Sequence, residues 1–357
     1  MPGALFSKPS GPVLGPWSTA SHACVVAVLC CAAAGCAGSG PAVVTRTQAP
    51  PPLRLSEAAA WDADGLVVPL RERGPYRFAR VEVAGEPAGL FLVDTGANRT
   101  VIDEGVAGRI GLERLNEVRA AGVTGWSTHR EVRVPGLRLL SDHRGDPGVE
   151  LGPRTALGLS FARMGSSLRG GVGGILGFGD LAAVPFTLSP AAGDAGPRLT
   201  LHRPAAFRPP PGATRHRLRL LHGLPVVEAE LDAGGGASGG GSPPVRVDLL
   251  LDTGADGGLS LPGSLLRESP GVASVPVSGA GSRRGVGGTG GTRETWVRSL
   301  TTLGLTLRDV PAAFGPSPPG VVARPGRVFG RLGQAVLGQA ELTFDAERGW
   351  LYVRFGG

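Results

Sequence analysis

Phe91-Leu92-Val93-Asp94-Thr95-Gly96-Ala97 runs an apolar strand into an acidic turn, and Leu249-Leu250-Leu251-Asp252-Thr253-Gly254-Ala255 does the same 158 residues further on. A lone Asp-Thr-Gly carries little information, because Asp and Gly are ordinary turn residues. Here each copy is followed by two apolar residues and a glycine, Ile175-Leu176-Gly177 at 83 residues and Val336-Leu337-Gly338 at 86. A pattern repeated at nearly constant spacing is an internal duplication, and it sets the architecture before any single element is read.

The paired motifs resemble those of aspartic proteases of the pepsin and retropepsin type, over roughly residues 65 to 355, and the alanine after each Asp-Thr-Gly is more retropepsin-like than pepsin-like. That resemblance implies an all-β, bilobal acid-protease fold: two pseudo-symmetric, β-barrel-like lobes in one chain, with the active site between them. It makes Asp94 and Asp252 the catalytic pair, sharing one water. Thr95 and Thr253 would hydrogen-bond across the interface, Gly96 and Gly254 would allow the tight turns, and the two apolar-apolar-Gly segments would thread beside them. Two touching carboxylates cannot both be charged cheaply, so such a pair holds one proton and titrates as a unit. The ionised partner takes a proton from the attacking water while the protonated one steadies the developing oxyanion. No metal, cofactor or covalent intermediate is required. Ala97 and Ala255 carry no hydroxyl, so neither carboxylate is expected to gain an extra donor, and the activity optimum is expected nearer neutrality than pepsin's. The alternative is a non-catalytic peptide-binding protein on the same fold.

Around the motifs the chain alternates at period two, as in Tyr76–Val83, which predicts strands bounded by glycine-rich turns. Ala120–Thr128, with Gly125 and Trp126, is expected to form the flap hairpin over the cleft, where glycine permits bending and close approach to a substrate backbone. Trp126 either walls a specificity pocket or packs under the hairpin. Ser278–Gly291, with Gly287, reads as a longer second flap. A peptide or protein substrate would lie extended between the flaps as an added strand. Pro204–Gly212 breaks every regular pattern, so the halves are placed at 65–203 and 214–357 with a linker at 204–213. One irregularity stands out: Phe344 follows Gly338 by 6 residues, whereas Leu188 follows Gly177 by 11. Gly236-Ala237-Ser238-Gly239-Gly240 fits a serine-hydrolase pattern, but its low-complexity setting makes it a flexible loop.

All four cysteines lie in the first 36 residues, so the rest of the chain has no disulfide, no cysteine metal site and no cysteine nucleophile. Residues 23–38 form a small-residue apolar run, short for a membrane span and suited to the core of an export signal. Ala33-Ala34-Gly35-Cys36 resembles a bacterial lipoprotein box, which implies a signal over 1–35, lipidation at Cys36 and a proline-rich tether over 36–64. The expected location is the outside of a bacterial membrane, facing the periplasm or the cell surface, with a soluble secreted protein as the alternative. The formal charge of +7 is almost all arginine, without a basic run interleaved with aromatics, which excludes nucleic acid as the expected partner. The six histidines show no zinc-peptidase spacing.

Overall fold

Apolar runs such as Leu249–Leu251 and alternating stretches such as Tyr76–Val83 bury one or both faces of a strand, and the described chain is accordingly built mostly of sheet. The computed structural model describes residues 29–30, 65–122, 124–141, 148–163, 170–234, 243–273, 275–285, 288–317 and 326–356. The expected lipidation site Cys36, the flap residue Gly287, most of the glycine-rich loop and the proposed tether lie outside them.

Three sheets make up the fold. An 11-stranded sheet takes its strands from the first half and from Leu29–Cys30 upstream of it, and an 8-stranded sheet takes its strands from the second half. Both repeat one device. The strand Glu86–Asp94 pairs in parallel with Val172–Gly177, placing Gly177 opposite Asp94. In the second half Val245–Leu251 pairs in parallel with Val328–Leu332, placing Leu332 opposite Leu251. These central strands are lined with residues such as Leu92, Val93, Ile175, Leu249 and Leu332, all almost fully buried. At about 25 cal/mol per Å² of apolar surface removed from water, such strands anchor the turns that follow them.

The third sheet belongs to both halves. Its order runs Thr214–Arg217, Trp350–Phe355, Ala340–Asp345, Phe186–Ser189, Arg198–Leu201, Leu66–Pro69, so each half gives three strands. At its centre Phe186 pairs with Phe344 and Thr187 with Thr343. The Thr187 and Thr343 hydroxyls meet at 2.7 Å. The rings of Phe186 and Phe344 stack at 4.9 Å, with Phe178 edge-on to both. The pseudo-twofold relation between the halves therefore passes through a continuous sheet with an aromatic core, which holds the two acidic turns in one rigid frame. The stretch 204–213 carries no strand and joins the halves along this sheet.

Candidate active site

Each acidic turn begins where a buried strand ends. Asp94 Oδ1 accepts the N–H of Gly96 at 2.7 Å, and Asp252 Oδ1 accepts the N–H of Gly254 at 3.0 Å. The turns then lock to each other. The Thr95 N–H donates to Thr253 Oγ1 at 3.0 Å and the Thr253 N–H to Thr95 Oγ1 at 3.1 Å. Thr95 Oγ1 donates to the Leu251 carbonyl at 2.6 Å, and Thr253 Oγ1 to the Val93 carbonyl at 2.8 Å. Every bond has its mirror in the other half.

This lock brings the carboxyls together. A Cβ added to Gly96 would overlap the Asp252 carboxyl, and one added to Gly254 would overlap that of Asp94. Only glycine fits where each turn passes the other's acid. Both carboxyls are completely buried. Burial pushes the Asp94 carboxyl well above its ordinary value, and the charge of Asp252 pushes the same way. The Gly96 N–H pulls it back, a hydrogen bond with Asp252 raises it further, and the Gly254 N–H lowers it again.

The glycine beside each turn needs a correction in the second half. Gly177 lies against the backbone of Arg99, 2.8 Å from its nitrogen to an added Cβ, and the next residue, Phe178, donates its N–H to the Ala97 carbonyl at 2.7 Å. The residue that does this after Asp252 is Gln334, whose N–H donates to the Ala255 carbonyl at 2.7 Å. Its predecessor Gly333 lies so close that an added Cβ would stand 2.8 Å from the Ala255 carbonyl oxygen. The counterpart of Ile175-Leu176-Gly177 is therefore Arg331-Leu332-Gly333, not Val336-Leu337-Gly338. Val336 and Leu337 belong to the short helix Gln334–Leu337 that follows, and Gly338 caps it. With this register Leu188 and Phe344 each follow their glycine by 11 residues, and the irregular spacing disappears.

The corrected register places an arginine where the first half has Ile175. Arg331 is 3% exposed, and its Nη1 donates to Asp252 Oδ2 at 3.4 Å. The expectation that neither acid gains an extra donor thus fails for Asp252. Burial draws the Arg331 guanidinium below its ordinary value, while Asp252 and then Asp94 push it back up. A charge inside the otherwise apolar strand Val328–Leu332 was the signal available in the sequence.

Two hairpins rise beside this centre. The first joins Arg114–Gly122 to Gly125–Val134, with Gly122 opposite Gly125. Trp126 is half-buried, and it packs against Ala121 of its own hairpin and Leu224, Val226, Leu250 and Phe329 of the second half. The Arg119 guanidinium lies 5.1 Å from its ring centroid. The second hairpin joins Gly279–Gly285 to Gly288–Thr302. A Cβ on its Gly290 would come 3.4 Å from Thr124 Cγ2 at the tip of the first, so the two hairpins approach each other.

An all-β frame of two related halves, with two buried carboxyls tied across their junction, is the acid-protease architecture. A family model described as aspartyl protease matches residues 79–177, from within the strand Tyr76–Val83 to Gly177. The first acidic turn, the first hairpin and the neighbouring glycine all fall in this stretch, which is similar to the aspartyl-protease model; the second turn lies beyond it. No curated protein sequence matches the chain.

Proposed function

We propose that the protein is an aspartic endopeptidase that hydrolyses peptide bonds with a water held between Asp94 and Asp252. The observation that carries this reading is the reciprocal seating of the two buried carboxyls, each against the other's turn glycine. One carboxylate accepts a proton as the water oxygen bonds to the peptide carbonyl carbon, and the other acid gives its proton to the carbonyl oxygen. The resulting diol collapses when the C–N bond breaks. The first acid then passes its proton to the leaving nitrogen, and the second recovers its own from a diol hydroxyl. Thr95 and Thr253 hold the geometry, and Gly177 and Gly333 let a second strand pass beside each turn.

Substrate would bind extended along the first hairpin. Support comes from a segment of this chain, Leu29–Cys30, which pairs antiparallel with Ala120–Ala121 on that hairpin's edge strand. Main-chain pairing of this kind accepts many sequences and leaves selectivity to flanking side chains such as Trp126. Export, lipidation at Cys36 and a membrane-tethered catalytic unit facing outward complete the proposal.

The test compares the wild type with Asp94→Asn and Asp252→Asn on a mixed peptide library. Cleavage by the wild type should vanish in both variants, while peptide binding persists. Binding without cleavage in all three would make the protein a peptide-binding module, and cleavage surviving in either variant would sink the dyad.

A further inference from the structure

The two acidic turns are so alike that nothing in the turns themselves says which acid keeps the proton. The strands beside them differ. Ile175 stands opposite Leu92, two residues before Asp94, and Arg331 stands opposite Leu250, two residues before Asp252. Ile175 is fully buried among Ala97, Val101, Ala120 and Leu157. Arg331, buried to nearly the same degree, brings a guanidinium to the junction and hydrogen-bonds Asp252 with it.

The geometry points to Arg331 as the residue that makes the pair asymmetric: it holds the negative charge on Asp252 and leaves the proton on Asp94. Asp252 is then the base that accepts the water proton, and Asp94 is the acid that donates to the carbonyl oxygen. This rests on reading the pair as a catalytic dyad.

Three acids face the guanidinium: Asp252 and Asp94 from the two turns, and Asp256 from the loop that continues the second. Asp252 is the one it hydrogen-bonds. A guanidinium remains charged at any working pH, so a buried cation here calls for a buried anion. With Asp252 ionised and Asp94 protonated, the charges of Arg331, Asp252 and Asp94 sum to zero. A second negative charge on Asp94 would stand against Asp252 without a cation of its own. Asp252 is the better-solvated anion, taking the Gly254 N–H on Oδ1 and Arg331 on Oδ2. Asp94 Oδ2 finds no donor within hydrogen-bond geometry among the described residues, as suits the oxygen that carries the proton and shares it with Asp252. Arg331 is a positioning residue in this scheme. It places a proton and touches no bond that breaks.

Carboxyl titration reads this directly, without turnover. Full-length protein carrying ¹³C at aspartate carboxyls is followed by NMR across pH, with Asp94→Asn and Asp252→Asn assigning the two resonances. In the wild type Asp252 should ionise first. In Arg331→Ile, which installs the residue of the other half, the first midpoint of the pair should rise by about 1 to 3 pH. Arg331→Lys should keep it near the wild-type position. If the protein cleaves peptides, the acid limb of kcat/KM should move upward with that midpoint. A wild type in which Asp94 ionises first, or an Arg331→Ile midpoint that does not move, overturns the proposal. If Arg331→Ile does not fold, the wild-type order decides alone. A protein that binds peptides without cutting them would refute the proposed function and still answer this test.

Discussion

Replacing Thr95 with valine keeps the shape of the side chain and deletes one oxygen. That oxygen donates to the Leu251 carbonyl at 2.6 Å, accepts the Thr253 N–H at 3.1 Å and lies 3.3 Å from the Thr253 hydroxyl, all in a fully buried setting. The variant therefore strips a partner from two buried main-chain groups on the other half. Each buried group left unsatisfied costs about 1–3 kcal/mol, which gives about 2–6 kcal/mol for the pair. Thr253→Val should cost the same, because its bonds to Val93 and Thr95 mirror the first set. Thr95→Ser keeps the oxygen and loses one methyl, so it should cost only about 1 kcal/mol. Urea denaturation followed by tryptophan fluorescence and far-ultraviolet dichroism measures these differences, coincidence of the two probes licensing a two-state fit. The reasoning fails if Thr95→Val costs no more than Thr95→Ser, or if the two valine variants differ widely, since either result would place the loss in side-chain packing and not in the cross-tie.

Asp94→Asn should abolish hydrolysis yet stabilise the protein, increasingly so with pH. The folded state keeps a proton on Asp94 that the unfolded chain releases above the ordinary carboxylate value, so wild-type stability falls through the window from that value up to the raised one. The slope is about 1.4 kcal/mol per pH unit in that window, and asparagine removes it. Melting temperatures of both proteins between about pH 4 and 7 should diverge, and parallel curves would contradict the assignment. Gly333→Ala tests the corrected register: its methyl would meet the Ala255 carbonyl oxygen at 2.8 Å and Ala255 Cβ at 3.2 Å, neither of which can swing aside. A loss of about 1–3 kcal/mol is expected, with activity lost. Gly291→Ala, with nothing within 4 Å of its added Cβ, should stay within about 0.5 kcal/mol of the wild type.

What was legible in the sequence was what depends on a few adjacent residues. A buried strand running into Asp-Thr-Gly is local, and repeating it announced two halves and one acid from each. The shared six-stranded sheet was not legible, because pairing between Phe186–Ser189 and Ala340–Asp345 joins segments over 150 residues apart and leaves no local mark. The glycine of the second half was misplaced for a different reason. Val336-Leu337-Gly338 satisfies the pattern by residue type, whereas the position is defined by how close the backbone must pass to the turn, and that falls on Gly333. The equal distance of 11 residues from Gly177 to Leu188 and from Gly333 to Phe344 was the usable clue, since the central strands must reach the same symmetric contact. A pattern that demands an apolar residue at this position skips Arg331, which stands where the first half has Ile175. Two copies of one turn can be held in a symmetric frame by backbone alone, but identical acids would compete for a single proton. A buried cation at one of the two equivalent positions breaks that tie, and here it lies where the strand passes the turn, with its hydrogen bond on one carboxyl.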